Sequence, residues 1–221
     1  IALSVGPVSI YWYGLTYVGG LIFAWWLGRQ RAQLAGSPIK VDQIDDLIFY
    51  AALGIIAGGR IGYALFYGSG SLVDDPLRIV RIWEGGMSFH GGFLGVVVAM
   101  WFLCRNHKIE FGALVDFIAP LAPVGLALGR LGNFINQELW GRPADVPWAM
   151  VFPNDPSGLA RHPSQLYQFA MEGMLLFGLL FWFTQRPRPR WSAAGCFLLG
   201  YGVFRSAAEL FREPDAHIGF D

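Results

Sequence analysis

Two arginines in this chain stand where charge is costly, and they are the residues best suited to chemistry. Arg130 lies in Gly129–Arg142, GRLGNFINQELWGR, a stretch that closes a long apolar run and crowds Arg130, Asn133, Asn136, Gln137, Glu138 and Arg142 together. Arg205 lies in a later apolar run, with Glu209 four residues on. Guanidinium forks match phosphate geometry and stay charged in a low-dielectric site. Either arginine could instead pair with a carboxylate, Arg205 with Glu209 and Arg130 with Asp116 or Glu138, and such pairing would also hold the fork in place. His90 sits in GGMSFHGG, Gly85–Gly92, at the expected N-terminus of a membrane helix. Free N–H groups and partial positive charge would favour an anion there, glycines permit close backbone approach, and a histidine can exchange a proton near neutral pH. The plainer reading is an interfacial histidine among glycines that serve helix packing. Taken together, the arginines, the helix start and the histidine read as a phosphate head-group site with a base beside it.

Other polar residues carry weaker signals. Tyr13 and Tyr201 suit an aromatic belt or a core, although either hydroxyl could donate to a phosphate or ester. Arg60, in GGRIGY, could snorkel, brace the helices or join the site. His162, in RHPSQLY, precedes Pro163 and Ser164, so a helix-capping role is the plain reading. His107 and His217 read as loop residues without company. Gly68-Ser69-Gly70-Ser71 reads as a flexible turn, because a nucleophile elbow needs a strand-turn-helix setting. Cys104 and Cys196 are too few for a disulfide framework and lack the spacing of a metal site; they read as small packing residues. No metal or cofactor is expected.

Holding these groups in place falls to membrane helices. Of 221 residues, 54% are hydrophobic and 14% charged, with a mean hydropathy of +0.43. This is the composition of an all-α polytopic membrane protein. The sixteen basic residues are scattered and balanced by sixteen acidic ones, which leaves no footprint for nucleic acid. A bilayer core takes about 20 apolar residues per helix, and six segments qualify: Ser9–Gly28, Leu47–Tyr67, Met87–Leu103, Phe111–Ile135, Gln165–Thr184 and Trp191–Phe211. No charged region with a cleavage site precedes the first, so it is expected to be retained. Ionisable residues inside these spans, Arg60, Asp116, Arg130, Glu172, Arg205 and Glu209, should face the interior and pair with one another.

Loop charge sets the orientation. The first, third and fifth connections hold eight Lys and Arg residues, and the second and fourth hold four, which puts the N-terminus outside. Tyr13, His90, Arg130, Asn133, His162, Arg205 and Glu209 then fall at one depth, the outer interfacial region. Within the second connection, Asp74-Asp75-Pro76 should start a short interfacial helix. The segment 136–164, rich in Pro, Gly and Asp, is expected to form a small extracytoplasmic loop or cap within a single membrane domain, residues 1–221. The polar tail Arg212–Asp221 falls outside. A transporter of an anionic or lipid-like substrate is the alternative reading, weakened by the lack of internal repeats and inverted broken helices.

These residues carry a resemblance. GGMSFHGG, GRLGNFINQELWGR, RHPSQLYQ and GYGVFRSAAELFREPDA, in that order, together with Trp12-Tyr13-Gly14, resemble the bacterial phosphatidylglycerol–prolipoprotein diacylglyceryl transferases over nearly the whole chain. The resemblance implies an inner-membrane enzyme that moves a diacylglyceryl group from phosphatidylglycerol to the lipobox cysteine of a prolipoprotein signal peptide, leaving glycerol phosphate. It places the essential histidine on His90, the important arginines on Arg130 and Arg205, the asparagine on Asn133 and the tyrosine on Tyr13. Glu138, Gly141, Tyr201 and Glu209 match further functional positions, and His162 and Arg212 match motif positions. Members usually have seven spans, so a seventh, C-terminal helix is expected beyond the six read here. In this scheme His90 takes the thiol proton and Arg130 and Arg205 bind the departing phosphate. Asn133 and Tyr13 orient the head group, and Glu138 and Glu209 aim the arginines.

Overall fold

The computed structural model describes residues 3–5, 8–10, 12–67, 81 and 86–213. Each apolar run becomes a helix, because every backbone N–H and C=O in a low-dielectric surround must be satisfied within its own segment. The helices are α1 (Trp12–Ala32), α2 (Gln43–Phe66), α3 (Phe89–His107), α4 (Phe111–Ile118), α5 (Ala122–Ile135), α6 (Ser164–Gln168), α7 (Leu176–Phe183) and α8 (Ser192–Glu209). A π-helical segment, Phe169–Leu175, joins α6 to α7. By length and composition α2 and the continuous run Ser164–Phe183 can cross a membrane, and α4 with α5 can do so as a pair bent by 48°.

Three features depart from the expected spans. The run Phe111–Ile135 is broken rather than straight: Pro120 has no N–H to give the helix, and Pro123 begins the next one as a first-turn proline. The first helix starts at Trp12, since Val8–Ile10 (β2) instead pairs antiparallel with Leu3–Val5 (β1), with Leu3 opposite Ile10. A second small sheet pairs Met150–Val151 (β3) with Ala160–Arg161 (β4). The described residues are therefore mostly helical with two short hairpins. The expected helix after Asp74-Asp75-Pro76 and the polar tail from Pro214 on lie outside the described residues.

The chain divides into two compact units. One comprises Gly28–Leu114 and the other Ile1–Leu27 with Val115–Asp221.

In the unit Gly28–Leu114, α2 and α3 meet through glycine. A Cβ on Gly95 would lie 2.1 Å from the Gly54 carbonyl oxygen, and one on Gly91 would lie 2.3 Å from that of Gly58. No side chain fits between the two backbones, the close approach that small-residue seams permit in membranes. The glycines after His90 thus serve helix packing. At the other end of the pair, His107 is not the isolated loop residue expected. It closes α3, its Nε2 lies 2.9 Å from Asp46 Oδ2 and its Nδ1 3.1 Å from Gln43 Nε2.

In the other unit, α5 packs on the π segment, where a Cβ on Gly173 would stand 2.4 Å from that of Ala127. Leu176, Leu180, Ala127 and Ala208 fill the core. Asp116 caps α8, its two carboxylate oxygens accepting from the Trp191 and Ala194 N–H groups.

The Gly95→Ala variant should lose about 1–3 kcal/mol of stability, because overpacking here meets backbone on both sides. Gly178→Ala, which adds a methyl to open space, should be neutral within about 0.5 kcal/mol. Unfolding midpoints in detergent compare the two, and equal midpoints would contradict the seam.

Candidate active site

A carboxylate organises the second of these units. Glu172 sits in the π segment and is fully buried. A π turn widens the helix and shifts the side-chain register, a distortion frequent at functional sites. Here it aims the glutamate at two arginines on neighbouring helices. Arg130 Nη2 lies 3.4 Å from Glu172 Oε2, and Arg205 Nη1 lies 3.6 Å from Oε1. Glu209, one turn along α8, holds the second fork of Arg205 at 2.7 Å and reaches Arg212 at 3.5 Å. The side chains of Arg130 and Arg205 stay 22% and 28% exposed while Glu172 has no exposure. The carboxylate is thus a floor and the guanidiniums an open rim.

The stretch after α5 is strained and firmly held. Gln137 and Leu139 both adopt left-handed conformations, φ 57° and 59°, which cost non-glycine residues roughly 1–2 kcal/mol each. Hydrogen bonds from two buried side chains fix them there: Ser164 Oγ donates to the Leu139 carbonyl at 2.9 Å and Gln165 Nε2 to that of Glu138 at 2.8 Å. Gln137 Oε1 accepts from the Asn154 N–H at 3.1 Å. The turn folds Glu138 back over the end of α5, where its Oε1 accepts from Asn133 Nδ2 and Asn136 Nδ2, each at 3.2 Å. One turn earlier Gly132 lets α5 close on α1, since a Cβ there would be 2.8 Å from Thr16 Oγ1 and 2.9 Å from the Tyr13 ring. The Tyr13 hydroxyl lies 3.2 Å from that of Tyr17.

Beyond this turn three extended segments meet at Gly141. Its N–H donates to the His162 carbonyl at 2.9 Å, while the next N–H, of Arg142, donates to that of Phe211 at 3.0 Å. A Cβ on Gly141 would fall 2.5 Å from the Phe211 oxygen and 2.6 Å from that of His162, so only glycine fits. Arg161 is the hub. Buried, it donates to Asp155, to Glu213 at 2.6 Å, and to Ser157 and the Gly141 carbonyl at 3.2 Å. Its guanidinium holds the Asp155 carboxyl down at about 2, with help from Ser157.

In the unit Gly28–Leu114, His90 is exposed at the first turn of α3. Ser88 caps that turn, its Oγ accepting from the Gly91 N–H at 3.2 Å, and its own N–H donates to the Gly59 carbonyl at 2.9 Å. Arg60, 3% exposed, donates to the carbonyls of Gly86 and Arg81 at 3.0 and 2.8 Å. It ties α2 to Gly86, three residues before the start of α3. Among the described residues no group of three His, Cys, Asp or Glu side chains could hold a metal ion.

The model of the family described as prolipoprotein diacylglyceryl transferase matches residues 1–220. The chain belongs to that family. Its relatives include phosphatidylglycerol–prolipoprotein diacylglyceryl transferases from Marinomonas sp., 55% identical over 100% of this chain and 82% of the relative, and from Teredinibacter turnerae, 53% identical over 100% and 80%. One from Vibrio cholerae is 52% identical over 99% and 80%. The chain is accordingly a diacylglyceryl transferase and a membrane protein.

Within this transferase the structure brings Arg130, Arg205 and Glu209 together around one carboxylate, and joins Asn133 to Glu138. It places Tyr13 against α5 and puts Gly141 and His162 side by side in the segment that follows. The Tyr201 ring stacks on Phe197 one turn before Arg205, with centroids 6.0 Å apart. His90 and Arg60 belong to the other unit.

Several expected pairings are different. The partner of Arg130 is Glu172, because Asp116 is committed to capping α8 and Glu138 to two asparagine amides. Glu138 therefore braces Asn133 and not an arginine. His162 caps no helix: Pro163 holds the N-cap position, and the imidazole Nδ1 lies 3.0 Å from the Tyr167 hydroxyl.

Glu172, expected among the ionisable residues that face the interior and pair with one another, does so with Arg130 and Arg205. Gln165, Asp155 and Arg161 are parts of the site that sequence reasoning does not single out, and Ser164 is read there only as a helix start.

Asp155 gives a pH signature. Its folded value lies below the ordinary 3.8, so its contribution to stability is complete above about pH 4 and is lost as pH falls through about 2. The difference in melting temperature between wild type and Asp155→Asn should be constant from pH 5 to 7 and shrink below 4. A difference that grows on acidification would overturn the pairing.

Proposed function

We propose that this chain transfers the diacylglyceryl group of phosphatidylglycerol to the lipobox cysteine thiol of a prolipoprotein, with release of glycerol phosphate. The observation that carries the reading is the convergence of Arg130 and Arg205 on one buried carboxylate, supported by membership of the family and by the names of the relatives. A shared counter-ion keeps two cations close together, and their exposed edges form a receptor for a phosphodiester.

In the transfer the cysteine sulfur bonds to the glycerol carbon that carries the phosphate. The carbon–oxygen bond breaks, and its electron pair leaves on the phosphate oxygen. Charge grows on that oxygen in the transition state, where fixed guanidiniums act most strongly. A free thiol, with a pKa of about 8.5, must lose its proton first, and in this reading His90 accepts it. Asn133, held by Glu138, and Tyr13 orient the head group; Arg60 positions the helix that carries His90. The family resemblance implies the inner membrane, the apolar runs of the sequence support six spans, and the loop-charge count supports an N-terminus outside. The site then faces the outer leaflet, and residues 136–164 cap it.

The Arg130→Ala and Arg205→Ala variants should each lose about 100-fold or more in kcat, in the range seen when one transition-state donor is removed. His90→Gln should keep the fold and lose transfer. Incubation with phosphatidylglycerol and a cysteine-bearing signal peptide, followed by mass measurement of both products, reads all three. Normal turnover by well-folded His90→Gln would sink the base assignment.

A further inference from the structure

Glu172 is more than a counter-ion. Its Oε1 and the facing Arg205 Nη1 stand 3.6 Å apart, an ion pair too long for a hydrogen bond, and among the described residues neither of these buried atoms has a hydrogen-bond partner. A buried acceptor and a buried donor that meet only as charges, with neither making a hydrogen bond, are costly unless something supplies those bonds. The matching ligand carries an acceptor and a donor of its own. We propose that Glu172 selects the lipid head group by accepting a hydrogen bond from its free hydroxyl while Arg130 and Arg205 take the phosphate. This rests on the activity proposed above.

Charge balance favours that ligand over others. An arriving phosphate shares both guanidiniums with Glu172. The carboxylate then keeps only part of their charge in a place closed to solvent. A hydroxyl donor restores one bond at no cost in charge. An ammonium head group would give a stronger bond to the carboxylate, yet it would have to sit between two guanidiniums, where like charge repels it. A head group with no donor leaves Glu172 unsatisfied. The site therefore suits an anionic phosphodiester bearing a neutral hydroxyl, and the atoms that recognise it stay with the departing phosphate.

The test compares phosphatidylglycerol with phosphatidylpropanol of the same acyl chains, which lacks the hydroxyls, as donors to a lipobox peptide. Wild type should favour phosphatidylglycerol at least tenfold in kcat/KM. Glu172→Ala should bring the two lipids within twofold of each other, and Glu172→Gln, which keeps an acceptor oxygen, should retain part of the preference. A purely structural role predicts that both lipids slow by one factor with the ratio unchanged, and that result overturns the proposal. If Glu172→Ala has no turnover, the ratio is read from equilibrium binding of the two lipids to the folded protein, where an unchanged preference for phosphatidylglycerol again overturns the proposal. Wild type that uses both lipids equally well overturns this inference alone; wild type that uses neither overturns the proposed activity with it.

Discussion

A carboxylate closed off from solvent must be answered by positive charge, and much of the site follows from that constraint. Breaking a buried pair by removing one partner is far more damaging than never having had it, on the order of 3–5 kcal/mol. Glu172 therefore binds the positions of α5, α8 and the π segment together: none can drift without exposing charge to a low dielectric. Two arginines on one acid also leave the group one positive charge in excess, before Glu209 is considered. An anion receptor made in this way keeps its cations pointed even when empty, so little reorganisation remains when a phosphate arrives.

The strained turn at Gln137–Leu139 does the same for the amides. Left-handed residues persist only where their surroundings over-determine them, and Ser164 and Gln165 supply that from the start of the next helix. The result is a carboxylate, Glu138, turned back on its own helix to fix Asn133. Further out, Gly141 allows three segments to approach within backbone contact, and Arg161 locks the surround through charged partners. Asn133 is thus held through Glu138 by a turn that Ser164 and Gln165 fix in place.

Much of the helical plan is legible in the sequence, because long apolar runs have few alternatives to helix. The pair Arg205–Glu209 is legible too, since four residues on one helix must be neighbours. Arg130–Glu172 is not: 42 residues separate the two, and periodicity says nothing about which faces of different helices meet. The π segment is invisible, because Met171–Phe183 is apolar almost all round and carries no stripe to betray a change of register. Strands of two and three residues are too short to show alternation. Pro120 is in plain view, and only the habit of treating an apolar run as a single rod hides the break. His107 escapes for the same reason as Arg130, its partner Asp46 being 61 residues away.

The glycine seam between α2 and α3 has a bearing on how this protein can change over generations. Where side chains interdigitate, a loss on one face can be repaired by a gain on the other, and the pair wanders through sequence space together. Here each face already has nothing to remove, and any addition meets a main-chain oxygen that no partner substitution can relocate. Compensation has no material to work with. Gly58 and Gly91 are fixed by the absence of a route around them, and a methyl group on Gly91, next to His90 in the first turn of α3, would disturb the helix start that Ser88 caps.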